Sequence, residues 1–320
     1  MSVAVVSPWI IGSGLLQVGL FLLGAPLLVG LMRTVRCRME GRVGPPIRQP
    51  WRELRKLLLK SRSQPEHSTL VFAIAPVVLM ATTLVVVWLT PLLSVRVTLS
   101  GGSDLFAIVF LLLLGSVSLS LAALDTGTAF GGMGSSRLMT IVALAEPALL
   151  VAILALAATV HSSSLATIML AALHHPIWLV TPQRLLSFSA FVVVVLAESG
   201  RLPVDNPATH LELTMIHEAL ILEYSGPDLA LIKLAESIRL TFLLALLANL
   251  FFPWGVSFSA SGISLLIGTF VLLAKVAVLG VVISAGEVAV AKLRLFRVPE
   301  LLAGAFMLSI LAVLSALVIA

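Results

Sequence analysis

Residues 138–160 read LMTIVALAEPALLVAILALAATV, an apolar run whose only charged residue is Glu146. A helix of about 20 such residues is long enough to cross the roughly 30 Å hydrocarbon core of a bilayer. Comparable runs recur along the whole chain, in which 59% of the 320 residues are hydrophobic and only 11% are charged. This composition is too apolar for a soluble domain. The sequence therefore predicts an all-α, polytopic integral membrane protein that forms a single membrane domain, residues 1–320.

Eight apolar runs predict about eight transmembrane helices, of which the fifth is the shortest. They lie at residues 8–32, 70–92, 105–124, 138–160, 185–197, 229–252, 263–284 and 301–320. The first run has no basic region before it and no small-residue cleavage site, so we expect a retained helix rather than a signal peptide.

The connection between the first two runs carries half of the chain's 20 Lys and Arg residues. These are Arg33, Arg36, Arg38, Arg42, Arg48, Arg52, Arg55, Lys56, Lys60 and Arg62. Short cytoplasmic loops retain Lys and Arg, which predicts that this loop is cytoplasmic and that both termini lie outside. We expect the protein in the plasma or inner membrane of the cell.

Residues 51–60, WRELRKLLLK, place Trp51, Leu54, Leu57 and Leu58 on one helix face and the basic side chains on another. This pattern is typical of an amphipathic helix that lies in the membrane interface. Two roles stay open for it: a lipid-headgroup anchor, or a docking surface for a soluble partner.

The glycine-rich stretch 124–137, LDTGTAFGGMGSSR, permits close backbone approach. Its spacing matches neither a P-loop nor a dinucleotide fingerprint. We therefore expect a tight, packed loop rather than a nucleotide site.

A long acidic loop separates the fifth and sixth runs, with five carboxylates: Glu198, Asp205, Glu212, Glu218 and Glu223. Isolated charges in lipid cost about 2.5 to 3.5 kcal/mol each, so these acids predict a cavity filled by water or covered by a partner. Asn206-Pro207 is a typical helix start, which predicts a helix from there to about Glu223. On that helix Glu212 and Glu223 would share a face.

Other ionisable residues fall inside the apolar runs. Glu146 and Lys275 lie well within the fourth and seventh runs, and Glu287 closes the seventh. Ionisable groups inside membrane helices are typical of proton paths. Lys233, Glu236 and Arg239 are spaced three apart in the sixth run, so they have a non-functional alternative as local ion pairs.

Other classes of site find little support. His217-Glu218 resembles a zinc-protease start, but position 221 is Ile221. His174-His175 lacks a nearby third ligand, and no serine or cysteine nucleophile has a recognisable helper. Cys37 is the only cysteine, so this chain cannot hold an iron–sulfur cluster on several thiolates. If electrons move, another subunit carries them.

Several segments together resemble the membrane subunit shared by respiratory complex I, where it is called subunit 1, and by formate hydrogenlyase and other group 4 nickel-iron hydrogenases. The segments are 41–50 GRVGPPIRQP with 57–60 LLLK, 124–137, Glu146-Pro147, 197–205 AESGRLPVD and 223–226 EYSG. The resemblance covers nearly the whole chain, and the LDTG loop is more similar to the hydrogenase branch.

The resemblance implies a non-catalytic subunit that anchors a soluble redox arm and relays coupling to proton or sodium movement. It implies no cofactor in this chain. A nickel-iron centre and iron–sulfur clusters are expected in hydrogenase-like large and small subunits, beside antiporter-like membrane subunits and the lipid bilayer, with no nucleic acid. Proton-coupling roles are expected for Glu146, Glu198, Asp205, Glu212, Glu223, Lys275 and Glu287. Partner docking is expected at Arg42, Arg48, Arg52, Arg55, Asp125, Arg137 and Arg201.

The chain also departs from the complex I pattern. Relatives in complex I have further acids where this chain has Ala208 and His210, and three extra residues precede the EYSG motif. Three alternatives to the coupling subunit stay open: a quinone-site subunit of a complex I-like NADH:quinone oxidoreductase, a stand-alone ion transporter, and a purely structural anchor.

Overall fold

The fold is built from helices along the whole described chain. The structure is a computed structural model that describes residues 8–66, 68–95, 104–174, 181–202, 204–205, 216–257, 262–289 and 297–319. Within these ranges the helices are α1 (Pro8–Met39), α2 (Gln49–Leu58), α3 (Leu70–Leu89), α4 (Leu105–Asp125), α5 (Ala129–Ala158), α6 (Leu165–His174), α7 (Pro182–Glu198), α8 (His217–Leu220), α9 (Gly226–Phe251), α10 (Gly262–Ala289) and α11 (Val298–Ile319). The predicted all-α, polytopic membrane fold is confirmed.

Six of these helices are long and apolar enough to cross a bilayer by length and composition: α1, α3, α4, α5, α10 and α11. The other two predicted spans are present as α7, which has 17 residues, and α9, which has 26. Both belong to the same bundle, since α9 contacts α1, α3, α7 and α10. The count of eight crossings stays a prediction.

The connections meet at two opposite ends of the bundle. At one end Arg62 pairs with Asp228, Asp125 accepts hydrogen bonds from Thr69, and Ser225 bonds residue 63. At the other end Gln17 bonds the backbone of Val87, Thr90 and Leu93, and Asn249 donates to the Leu92 carbonyl. The described connections between α1 and α3, between α4 and α5, and between α7 and α9 therefore lie at one end of the bundle, and which end faces the cytoplasm stays a prediction.

Helices α5 and α9 form the middle of the bundle. Every residue from 237 to 251 of α9 is buried, and α5 packs against α4, α7 and α11. Two glycines at the start of α5 permit close packing: a Cβ on Gly131 would lie 2.4 Å from the Ala123 carbonyl oxygen, and one on Gly134 would lie 3.0 Å from the Ala219 Cβ. The stretch therefore packs closely at Gly131 and Gly134, whereas a Cβ on Gly127 or Gly132 would meet nothing within 4 Å, and residues 129–137 are helix and not the predicted loop.

Two further predicted bounds differ from the structure. Helix α1 continues to Met39, so Arg33, Arg36 and Arg38 lie on a helix and not in a loop. Of the helix predicted from Asn206 to Glu223, residues 206–215 lie outside the described ranges, and the described part ends at Leu220. The chain turns there because Tyr224 is buried, stacks on Phe72 with ring centroids 4.1 Å apart, and donates to the Phe72 carbonyl.

The predicted interfacial helix is present as α2 (Gln49–Leu58), with Leu54 buried against the bundle. Trp51 Nε1 donates to the Leu23 carbonyl of α1 at 3.2 Å. Its basic side chains Arg52, Arg55 and Lys56 are exposed. The helix therefore lies on the bundle surface with a charged outer face.

Candidate functional site: a buried ionic network beside a cavity

Arg239 is the centre of a buried ionic cluster that joins four helices. From α9 its Nη2 contacts Glu146 Oε1 of α5 at 3.1 Å and Glu198 Oε2 at the end of α7 at 2.5 Å. Its Nη1 donates to Ser116 Oγ and to the Leu112 carbonyl of α4, at 2.7 and 3.2 Å. A planar guanidinium suits this arrangement because it offers five donors in a fixed geometry.

The cluster has more acid than base. Both carboxylates are buried, with side-chain exposures of 3% for Glu146 and 4% for Glu198. Their second oxygens, Glu146 Oε2 and Glu198 Oε1, have no hydrogen-bond partner among the described residues. Since two carboxylates share one guanidinium, binding one proton makes the trio neutral, and releasing it leaves one uncompensated negative charge.

The local-pairing alternative for α9 is wrong for Arg239. Its ionic partners are Glu146 and Glu198, which are 93 and 41 residues away in sequence. The ion-pair partner of Lys233 is Glu218 of α8, whose Oε1 lies 3.8 Å from Lys233 Nζ, and not a residue on a neighbouring turn of α9. The charged side chains of α9 therefore connect helices.

A second ionic cluster lies at the loop end of α10. Glu287, whose side chain is 1% exposed, contacts Arg201 Nη1 at 3.1 Å and Arg36 Nη1 at 3.7 Å. Burial lowers the pKa of Arg201, and the charge of Glu287 opposes that shift. Arg36 also pairs at 3.0 Å with Glu40, the residue that follows the end of α1. This cluster joins α1 and α10 to the turn after α7.

A cavity of about 260 Å³ lies between the two clusters. Its charged and titratable lining residues are Arg33, Arg36, Glu198, Arg201, Asp205, His217, Glu218, Lys233, Glu236 and Arg239. A liquid-water molecule takes up about 30 Å³, so a polar cavity of this size has room for several waters. Three of the five acids of the 198–226 segment, Glu198, Asp205 and Glu218, therefore line a polar cavity of the kind that their density in the sequence predicts.

His217 contributes an imidazole ring to the cavity wall. Its Nδ1 lies 3.8 Å from Asp205 Oδ2, and that same oxygen accepts from the Ile216 backbone N–H at 3.3 Å. Burial alone would lower the pKa of His217, but the nearby carboxylates of Asp205, Glu236 and Glu198 outweigh it, so the pKa lies above its ordinary value. The imidazole consequently holds its proton to a higher pH than a free histidine.

The structure brings only part of the predicted proton-coupling set together. Glu146, Glu198, Asp205 and Glu287 lie at or beside the cavity. Glu223 is exposed at the bundle surface, and Glu212 lies outside the described residues. Lys275 is elsewhere, because its Nζ donates to the carbonyls of residues 252 and 254 just after α9.

The predicted docking residues also divide into groups. Arg42, Arg48, Arg52 and Arg55 are exposed on and before α2. Asp125 instead fixes the start of α3, accepting from Thr69 N at 2.7 Å and Thr69 Oγ1 at 2.8 Å. Arg201 is held in the Glu287 cluster, and Arg137 is half-buried on α5. Within the described part of the chain, no group of three His, Cys, Asp or Glu residues is arranged to hold a metal ion.

Comparison with known proteins identifies the family. A family model described as NADH dehydrogenase matches residues 13–319. The chain belongs to this NADH dehydrogenase family, that of complex I subunit 1. The resemblance that the loop motifs indicate is thereby confirmed.

Three relatives place the chain more closely within the NADH dehydrogenase family. Hydrogenase-4 component C of Escherichia coli (strain K12) is 32% identical over 301 residues, 93% of each chain, and formate hydrogenlyase subunit 4 of the same organism is 30% identical over 295 residues, 92% of this chain and 94% of the relative. A subunit of the NADH-quinone oxidoreductase of Brevibacillus brevis is 29% identical over 216 residues, 66% of this chain and 62% of the relative.

The fold of this chain is also found in one chain of a complex of known structure. A chain of the membrane-bound sulfane sulfur reductase, an archaeal respiratory membrane complex, superposes with a TM-score of 0.79. The match covers 96% of this chain and 99% of that one at 19% identity, which establishes the shared fold alone.

The sequence alone does not identify Arg239 and His217 as residues of this site. Spacing alone presents Arg239 only as a local partner on its own helix, and His217 only as an incomplete zinc motif. One signal is available: a cation in the middle of a membrane-length run needs an acid partner, and Glu146 lies at a comparable place in another run. The pairing itself depends on the bundle, in which α5 and α9 both pack against α7.

Proposed function

We propose that this chain is a non-catalytic, membrane-anchoring and energy-coupling subunit of a group 4 hydrogenase or formate hydrogenlyase-like complex. It would link a soluble redox arm to the movement of protons or sodium ions. The similarity to hydrogenase-4 component C and formate hydrogenlyase subunit 4 over more than nine-tenths of the chain supports this assignment.

The Arg239 cluster carries the coupling half of the proposal. A guanidinium shared by Glu146 and Glu198 is a buried charge arrangement that changes by one unit when a single proton binds or leaves. Charge changes at such a site shift the protonation of neighbouring groups, and the cavity places Glu236, His217 and Asp205 next to it. A merely structural helix interface has no need of an excess carboxylate that is costly to bury.

The proposal assigns the redox chemistry to other subunits. We expect the nickel-iron centre and iron–sulfur clusters in hydrogenase-like large and small subunits, and antiporter-like membrane subunits beside this chain. The exposed arginines of α2 and its preceding loop are the proposed docking surface for the soluble arm, at the bundle end that also holds the cavity loops. That end would then face the cytoplasm, with both termini outside.

The first test is the composition of the native assembly. The chain is purified in mild detergent from its own membranes, its companions are identified by mass spectrometry, and nickel and iron are measured. Nickel together with an iron–sulfur subunit supports the proposal. Iron and flavin without nickel would favour the quinone-oxidoreductase alternative, and recovery of the chain alone would favour a stand-alone transporter.

The second test is coupling in sealed, inverted membrane vesicles that contain the complete complex. Hydrogen turnover with a viologen dye and the accompanying proton or sodium uptake are measured in the same vesicles. Glu146→Gln and Glu198→Gln should each lower ion uptake per hydrogen toward the level of uncoupled vesicles, because an amide does not take up or release a proton in this range. Glu300→Gln, at an exposed position of α11, is the matched control and should behave as wild type.

If Glu146→Gln and Glu198→Gln both retain wild-type ion uptake, the coupling role is refuted and only the membrane-anchoring role of the subunit is left. Loss of assembly in both would be recognised by dye-linked turnover of washed membranes, which persists only if the arm still docks. Glu223→Gln has a separate use: because Glu223 is exposed, we expect it to retain coupling, contrary to the role that its motif implies.

A further inference from the structure

His217 lies in the cavity wall, and its ring nitrogen Nδ1 makes no hydrogen bond to the described residues. Its Nδ1 is buried and has no hydrogen-bond partner within the described ranges. The nearest carboxylate oxygen, Asp205 Oδ2, is 3.8 Å away, which is too long for a hydrogen bond but short enough for a bridging water or a small side-chain movement. The ring is therefore close to an acid without being fixed to it.

The backbone of the turn after α7 leaves room for this ring. Gly200 adopts a φ of +56°, a conformation that favours glycine, and a Cβ there would lie 2.7 Å from His217 Nδ1. A side chain at position 200 would thus displace the imidazole. The turn that joins Glu198 to Asp205 is shaped so that His217 can lie against it.

Charged groups of both signs line the cavity whose wall contains His217. From the turn after α7 these are Glu198, Arg201 and Asp205; from α8, Glu218; from α9, Lys233, Glu236 and Arg239; and from α1, Arg33 and Arg36. Helices α4 and α5 also pack on α8, and their charged residues are Asp125 on α4 and Arg137 and Glu146 on α5. Acids therefore lie along the cavity on more than one helix, with the imidazole in the same wall.

We propose that His217 is a proton-relay residue of the coupling path, passing protons between Asp205 and the Glu198–Glu236 side of the cavity. This inference rests on the proposed function. An imidazole suits the position because it accepts a proton on one nitrogen and releases one from the other. The ordinary pKa of an imidazole also lies much nearer neutral pH than that of a carboxyl group, and Glu198 is already held by Arg239.

The step conserves protons. Nδ1 takes the proton released by the Asp205 carboxyl group, directly or through cavity water, and the ring becomes an imidazolium. Nε2 then releases its proton through water toward Glu236, and the ring is neutral again. Rotation of the ring, or proton exchange with cavity water, restores the first tautomer, and the same sequence runs in reverse.

The test uses the complete complex in sealed, inverted vesicles, with hydrogen turnover and proton uptake measured together. His217→Gln keeps a polar side chain of similar reach but does not titrate, and it should abolish most of the proton uptake per hydrogen. Gly200→Ala keeps the imidazole but displaces it, and should lower the same ratio. His174→Gln, at an exposed end of α6, is the matched control and should leave the ratio unchanged.

Three results decide between the possibilities. Partial recovery of uptake in His217→Ala on adding imidazole to the vesicles supports a relay, because a structural role would not respond to a free base. A wild-type ratio in His217→Gln overturns the relay. Loss of uptake in Glu198→Gln with normal uptake in His217→Gln overturns the relay alone, whereas normal uptake in both overturns the proposed function as well.

Discussion

Replacing Arg239 by methionine is the strongest single perturbation of the buried network. The change removes the donor to Glu146, Glu198, Ser116 and the Leu112 carbonyl, and leaves two carboxylates facing each other in a buried site. Removing one partner of a buried ion pair costs about 3 to 5 kcal/mol. Because one carboxylate is able to take up a proton and so reduce the repulsion, we expect about 3 kcal/mol, near the lower bound of that range.

A loss of this size is measurable as a shift in the melting temperature, Tm. At about 2 to 4 °C per kcal/mol, the Arg239→Met complex should melt about 6 to 12 °C below wild type. The assay is a fluorescence melt of the purified complex in detergent, at one fixed scan rate because unfolding of such assemblies is irreversible. Arg239→Lys should also be destabilised, since an ammonium with three donors does not reproduce the fork that serves four acceptors.

A triple variant separates the ion pairs from packing. Arg239→Met combined with Glu146→Gln and Glu198→Gln removes the acids that the single change leaves unpaired, and it should recover more than half of the lost Tm. A single variant within about 2 °C of wild type, or a triple variant no more stable than the single one, would refute the account of Arg239 as the centre of a buried ionic network.

Two further predictions concern packing and pH. Gly30→Ala places a Cβ 1.9 Å from the Ile47 carbonyl oxygen, so it should lower Tm and expose the loop before α2 to trypsin, whereas Gly24→Ala, whose Cβ meets nothing within 4 Å, should do neither. The raised pKa of His217 predicts that its contribution to stability is full below about pH 6.5, the ordinary unfolded value, and is lost as pH rises through the higher folded-state value. The Tm difference between wild type and His217→Gln should therefore shrink toward alkaline pH; a difference that grows instead would contradict that sign.

The helices are predictable from the sequence because a membrane-length apolar run is a local property of the chain. Each of the eight runs overlaps a helix of the structure. The bounds are harder to predict, because helices continue past their apolar runs; the two longest extensions are α1 to Met39 with three arginines and α5 back to Ala129 through glycines. Neither extension has an apolar signal; α5 begins early because Gly131 and Gly134 fit closely against Ala123 and Ala219.

The sequence predicts many of the charged residues of the candidate site, but it does not predict which of them form ion pairs with one another. The density of acids after α7 indicates a polar cavity from the cost of charge in lipid alone, and the cavity is present. Which cation neutralises which acid depends on helix packing across tens of residues, as the Arg239–Glu146 contact illustrates with a separation of 93. Spacing within one helix favours the wrong partners, because Glu236 is near Arg239 in sequence but contacts it in none of the ion pairs of the described chain.

The packing of the helices also explains why Glu146 and Lys275, the acid and the base predicted inside the membrane, have different surroundings. Glu146 and Lys275 look alike in sequence, each an isolated charge within an apolar run. In the fold Glu146 faces the centre of the bundle, where its charge is next to those of Arg239 and Glu198. Lys275 faces the far end of α9, where two backbone carbonyls are its acceptors. Because a carbonyl cannot take up or release a proton, these contacts give Lys275 no proton donor or acceptor to exchange with, and they do not connect it to the cavity.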